Sequence, residues 1–137
     1  MAEKLRVMVV DDDATTLEVT SALLEERGYE VLKRESAIGT TLAILRDRPH
    51  VVLLDIQMPG LSGDKLVELV GPGKSRPTPV ILLHSAAPRH ELEALAKRCG
   101  AAGAVEKTGD PLEFIRRFEQ AIGAHRRNLD TARQRRR

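Results

Sequence analysis

Four apolar runs in this chain each end in a polar side chain of the kind that can do chemistry. Leu5–Val10 runs into Asp11-Asp12-Asp13 and Val51–Leu54 into Asp55. Val80–Leu83 leads through His84 to Ser85, and the weaker Ala104–Val105 leads to Lys107. Carboxylates gathered at one edge repel and raise each other's pKa, so the natural relief is a bound cation. Oxygen-only ligands suit a hard ion, and Mg2+ takes one or two carboxylates together with waters and phosphate oxygens. A nearby Lys adds a positive point charge and a Ser hydroxyl adds a donor to an anion. These are the parts for phosphoryl transfer to a carboxylate, which needs a nucleophile, a metal and donors for the equatorial oxygens. Asp55, isolated at its strand end, is the expected nucleophile. Asp11 and Asp12 are expected to hold Mg2+, with the backbone carbonyl of Gln57 as a further ligand, and Ser85 and Lys107 to hold phosphoryl oxygens.

The elements that must bring these residues together are legible in the pattern. Short aliphatic runs fit strands buried on both faces of a parallel sheet, with Glu30–Lys33 as a fifth candidate. Helix-length segments alternate with them. Ala14–Arg27 carries Leu17, Leu23 and Leu24 and closes at Gly28; Ile38–Arg46 carries Leu42 and Leu45; Gly63–Val70 breaks at Gly71-Pro72-Gly73. Arg89–Cys99 has a Leu92, Leu95, Ala96, Cys99 stripe ended by Gly100. Asp110–Ala124 opens with Asp as N-cap and Pro111 at the first helical position, and is expected to bury Leu112, Ile115, Phe118 and Ile122. Five β-α repeats imply right-handed crossovers and a parallel sheet with helices on both faces, whose chemistry lies at the carboxyl ends of the strands.

Composition narrows the function classes. The chain has 137 residues, 42% hydrophobic and 31% charged, with three aromatic rings and one cysteine. That suits one soluble domain with an aliphatic core, here placed at residues 1–124. The lone Cys99 excludes an internal disulfide and a Cys-based zinc site, and its place on an apolar stripe marks it as a small core residue. No apolar run approaches the length that spans a bilayer, so no membrane partner is expected. The N-terminus leads straight into a strand-like run with no signal-peptide pattern, so the expected compartment is cytoplasmic. The formal charge of +2 is uneven, because residues 126–137 hold six Arg and one Asp. The acidic body is thus followed by a basic C-terminal helix extension or linker over 125–137. No aromatic residue interleaves that tail, so nucleic acid is not the expected partner.

Over residues 5–122 the chain resembles the receiver domains of two-component response regulators. The resemblance rests on Val9-Val10-Asp11-Asp12-Asp13, on Val51 to Gly60 around Asp55, and on Ser62-Gly63. It continues through Thr78-Pro79-Val80-Ile81, Ser85-Ala86, Gly103-Ala104 and Lys107. It implies the chemotaxis-regulator-like fold, a (βα)5 flavodoxin-like, doubly wound five-stranded parallel sheet. It also implies that Asp55 takes a phosphoryl group, with Mg2+, from a phosphohistidine of a sensor histidine kinase or phosphotransfer protein. Phosphorylation would then draw Ser85 inward and rearrange the face formed by the fourth helix, fifth strand and fifth helix of the fold, here 89–99, 104–105 and 110–124. A downstream protein would bind that face. The protein is then a switch, not an enzyme in the ordinary sense, although it helps catalyse its own phosphorylation and hydrolysis. Such a switch works as a monomer or as a phosphorylation-linked dimer.

Two positions depart from the family pattern. Thr108 follows Lys107 where the family usually has Pro in a cis peptide. A cis bond before a non-proline residue costs about 3–4 kcal/mol, so a trans bond and a shifted loop are expected. Ala104 stands where the family has the Tyr or Phe that turns inward during switching, and a methyl group cannot gate. Gln57, two residues past the acceptor, could reach an attacking water, but reads more simply as an exposed loop amide.

Two rival functions use the same residues. Asp11-x-Asp13-x-Thr15 after an apolar strand also matches the nucleophile motif of haloacid-dehalogenase-like phosphatases, with Asp11 as nucleophile. In that reading Asp55 has no role, and Gly109-Asp110 follows Lys107 too closely and opens a helix. A pseudo-receiver, a binding module that is never phosphorylated, usually lacks the acceptor or the acid pair; both are present here, and Ala104 and Thr108 are what favour it. Gly73-Lys74-Ser75 is read as a turn and not a phosphate-binding loop, since Glu68 stands where the first Gly is needed. His84 is read as a packing or surface residue beside Ser85, and Asp13 as a helix cap.

Overall fold

The computed structural model describes residues 4–61, 65, 66, 68 and 79–135. Its elements run β1 (Arg6–Val10), α1 (Ala14–Glu26), β2 (Glu30–Arg34), α2 (Thr40–Asp47), β3 (Val51–Asp55), β4 (Val80–Ser85), α3 (Arg89–Cys99), β5 (Gly103–Glu106), α4 (Pro111–Gly123) and α5 (Arg126–Arg135). The strands form one sheet in the order β2-β1-β3-β4-β5, and every neighbouring pair is parallel. This is the doubly wound five-stranded sheet expected from the alternation of elements.

Strand periodicity divides the core into two layers. Met8, Val10, Val52, Leu54, Ile81 and Leu83 face α2 and α3, where they meet Ala43, Ile44, Ala96 and Cys99. Val7, Val9, Val51, Leu53, Leu82 and Val105 face the other way, onto Leu17, Leu24, Phe114, Phe118 and Ile122. The central strand β3 is buried along its whole length, whereas edge strand β2 is only half covered. Cys99 is a buried free thiol, as its place in the stripe predicts.

The helix ends follow local chemistry. Asp13 caps α1 by accepting the Thr16 N–H at 3.1 Å. Asp110 caps α4 by accepting the Leu112 N–H at 3.1 Å, with Pro111 at the first helical position. Gly28 and Gly100 end α1 and α3 at φ +104° and +86°, a region that disfavours any side chain.

Two expectations are corrected. Leu112 is 83% exposed and Ile115 only partly buried, while Phe114 joins Phe118 and Ile122 in the core. At 100° per residue Phe114 stands about 40° from Phe118 around α4, and Leu112 about 120° away. In α2 the buried residues are Thr40, Ala43 and Ile44, and Leu42 and Leu45 face outward. The basic tail forms α5, and Leu129, 2% exposed, packs into the second core layer. Most of the expected helix over 63–70 lies outside the described residues, but Lys65, Leu66 and Glu68 are helical and Leu66 is buried. Gly71-Pro72-Gly73, Ser62-Gly63, Gly73-Lys74-Ser75 and Thr78 also lie outside them.

Candidate functional site

The ends of β1 and β3 are adjacent because these strands pair in register, Val10 opposite Leu54. The next residues, Asp11 and Asp55, therefore stand side by side at the carboxyl edge, 1% and 2% exposed. Asp12, beyond the strand, is exposed. Carboxylate oxygens of Asp11, Asp12 and Asp55 lie within 4.8 Å of one another.

Local turns fix the two buried carboxylates. Asp11 Oδ1 accepts the Asp13 N–H at 2.9 Å, and Asp55 Oδ1 accepts the Gln57 N–H at 2.9 Å. Each residue so folds the chain back over its own side chain, as Asp does after a strand. The other oxygens share one cation: Lys107 Nζ lies 3.3 Å from both Asp11 Oδ2 and Asp55 Oδ2. The reach of Lys107 is set by the end of β5, whose exit is held to β4 by a Lys107 N–H bond to the Ser85 carbonyl at 2.7 Å. Thr108 then accepts the Asp110 N–H on Oγ1 at 3.2 Å, which shapes the loop into α4.

Burial pushes the Asp55 carboxyl above the ordinary carboxylate range. The Gln57 N–H and the Lys107 charge pull it back, and Asp11 pushes it up further. A carboxylate held against its environment in this way gains from any added positive charge. Three oxygen donors at this spacing suit a hard cation such as Mg2+.

Ser85 is fully buried one strand away, and its Oγ accepts the Ala87 N–H at 3.1 Å. No hydrogen bond joins it to Asp55 among the described residues. Gln57 has an exposed side chain, and Asp13 serves α1. Ala104 is half-buried on β5 and forms part of a groove of about 410 Å3 between α3 and α4.

His84 lies on the opposite side of β4 from Ser85 and packs on Phe114, ring centroids 5.6 Å apart. Burial first, then the nearby Lys107 charge, lowers its pKa from 6.5 to about 4, so the ring is neutral. A second cavity, of about 370 Å3, opens beside it between α1 and the 107–111 loop, with Thr15, Thr16, Lys107 and Thr108 in its wall. Sequence reading missed this cavity. Its threonines follow no period of their own, and only the packing of α1 against the loop brings them together.

The comparisons with known proteins agree with this geometry. The profile of the response regulator receiver domain matches residues 7–119. PilH of Pseudomonas aeruginosa is 39% identical over 80 residues, covering 57% of this chain and 65% of PilH. The transcriptional regulatory protein CseB of Streptomyces avermitilis is 31% identical over 134 residues, 93% of this chain but 56% of CseB. The chain thus spans less than two thirds of either relative. Among solved structures, a CheY-like response regulator receiver domain protein from Methanospirillum hungatei superposes with TM-score 0.75 at 21% identity, covering 92% of this chain and 99% of that one. The chemotaxis response regulator CheY4 of Vibrio cholerae gives 0.74 at 22% identity, covering 87% and 99%. Those structures share the fold, and the profile match together with the aspartate cluster at its sheet edge makes this chain a member of the response regulator receiver domain family.

Proposed function

We propose that this domain is a phosphorylation switch in which Asp55 accepts a phosphoryl group from a phosphohistidine of a sensor histidine kinase or phosphotransfer protein. One observation carries the reading: the oxygens of Asp11, Asp12 and Asp55 meet within 4.8 Å, with Lys107 Nζ at 3.3 Å from two of them. A carboxylate oxygen of Asp55 attacks phosphorus as the P–N bond to the imidazole breaks, and the bond pair leaves with the ring. Asp11, Asp12, Asp55 and the Gln57 carbonyl would hold Mg2+, which when bound offsets the charge of the carboxylates and of the transferring oxygens. Lys107 exchanges its Asp55 contact for a phosphoryl oxygen. Ser85 Oγ already accepts the Ala87 N–H, which leaves its own hydrogen free to donate to the same group.

The output face in this reading is formed by α3, β5 and α4. With Ala104 in place of a ring, no aromatic side chain at this position can turn into or out of the groove between α3 and α4. Either the phosphorylation signal on this face comes from the β4–α3 loop and α3 alone, or switching is weak.

The test is intact mass after incubation with Mg2+ and acetyl phosphate. Wild type gains one phosphoryl group, whereas Asp55→Asn and wild type in excess chelator gain none. If the group instead lands on Asp11, the phosphatase reading replaces this one. If wild type gains nothing, the non-phosphorylated interaction module does.

A further inference from the structure

We propose that the outward face of α2 is a docking surface for a second copy of this chain, packed antiparallel about a two-fold axis. Five large apolar side chains stand exposed among the described residues, and three of them fall between residues 38 and 45: Ile38 at 83%, Leu42 at 72% and Leu45 at 45%. Leu42 and Leu45 are one helical turn apart, so they share a face. Ile38 precedes them in a turn that is firmly built. The Arg34 guanidinium donates to the Ile38 carbonyl at 2.8 Å and to Thr40 Oγ1 at 3.2 Å, while Ser36 Oγ accepts the Ile38 N–H at 3.1 Å. The opposite side of α2 is anchored in the core through Thr40, Ala43 and Ile44. The apolar strip is therefore displayed on a fixed element, and such clusters on a soluble domain mark interaction sites.

Charge identifies the occupant. Glu35, exposed and without an ion pair among the described residues, lies before the N-terminal end of the strip. Arg46, exposed and held only by its neighbour Asp47, lies at the C-terminal end. A two-fold antiparallel copy lays Ile38 against Leu45 of its partner and Leu42 near the axis. It also sets each Glu35 against the other Arg46, so the surface is complementary to itself, as an isologous interface requires. A strip of three apolar residues is narrow beside the roughly 800 Å2 per partner of a standard interface, so the dimer is expected to be weak and concentration-dependent. It leaves the α3–β5–α4 face uncovered, and it does not depend on phosphorylation.

Sedimentation velocity from micromolar to near-millimolar concentration tests this on the full chain. Wild type shows a reversible monomer–dimer shift, with or without acetyl phosphate, and Leu42→Asp stays monomeric. Glu35→Arg and Arg46→Glu each weaken self-association roughly tenfold, since two like-charge contacts replace two opposite ones. An equimolar mixture of those two variants recovers the wild-type constant, because the mixed dimer restores one pair and keeps the other. The three positions are exposed, and circular dichroism checks that each variant folds. Monomeric wild type at the highest concentration, a dimer indifferent to Leu42→Asp, or a mixture no stronger than its components would each overturn the proposal.

Discussion

His50 and His84 are both buried and both stand at the end of a strand, but at opposite edges of one sheet. At the amino edge His50, 1% exposed, is held to the framework through its backbone and its Nδ1. Its Nδ1 accepts the Arg6 N–H at 2.9 Å, its own N–H donates to the Arg6 carbonyl, and its carbonyl accepts the Val80 N–H. One residue so ties β1, β3 and β4 together where the strands begin, and Leu5 and Leu129 lie in the core layer closed at that edge. At the carboxyl edge His84, 4% exposed, has only ring packing on Phe114, and its Nε2 has no hydrogen-bond partner among the described residues. Beside it Asp55 is a carboxylate whose burial disfavours its charge. At similar burial, one ring is bonded to a neighbouring strand's backbone, while the other rests on ring packing beside a carboxylate whose charge burial disfavours. Tension of this kind is what a site gives up in stability for chemistry.

The largest expected effect breaks the quiet edge. Leu129→Ala removes a side chain that is 2% exposed and should cost roughly 3 kcal/mol, read by urea denaturation. Phosphoryl uptake at Asp55 should be unchanged in conditions where the variant is folded. An unaltered midpoint would mean that α5 does not seal the amino edge.

The next effect is at the tense edge and depends on pH. His84 has its folded pKa lowered from 6.5 to about 4, so between those values the unfolded chain binds the extra proton. Stability is therefore full above about pH 6.5 and falls as pH drops toward 4, by an amount on the order of 3 kcal/mol at most. His84→Leu should flatten this slope, and a slope that survives the substitution assigns it to other groups. His50→Leu is expected to be milder, about 1–2 kcal/mol, from the lost acceptor for the Arg6 N–H.

Much of this contrast was legible in the sequence. A run such as Val51–Leu54, apolar on both faces and stopped by one Asp, admits few structures besides a central parallel strand with its charge at the carboxyl end. Four apolar runs, each ended by a polar residue, place Asp11, Asp12, Asp55, Ser85 and Lys107 at one sheet edge. What stayed hidden has specific causes. Residues 112, 114, 115, 118 and 122 are all apolar, so the period of α4 is clear but its phase is not, and the pattern points to Leu112 where Phe114 packs. Leu129 is a single apolar residue among arginines, and a lone position has no period to announce burial. Leu42 and Leu45 read as the core side of a helix, but apolarity alone does not say that Thr40, Ala43 and Ile44 take that side instead. The Ser85 hydroxyl turns to the Ala87 N–H through a local loop geometry that residue types do not encode.

The smallest effect is the most diagnostic of the carboxyl edge. The folded pKa of Asp55 is raised, so its ionised form is penalised in the native state above that pKa, and the penalty is relieved as pH falls through it. This is opposite in sign to His84. Asp55→Asn keeps the size of the side chain and removes the charge, so without divalent ions it should raise the melting temperature at neutral pH by a few degrees. The gain should shrink toward acid, where the wild-type carboxyl becomes neutral too. Lys107 loses one of its two carboxylate partners in the variant but keeps Asp11, which limits the compensating loss. Added Mg2+ should then reverse the order. It stabilises wild type by mass action at the three carboxylates and stabilises the variant, with one ligand fewer, much less. Wild type and Asp55→Asn that melt alike at every pH and Mg2+ concentration would mean the two sheet edges do not differ in tension after all.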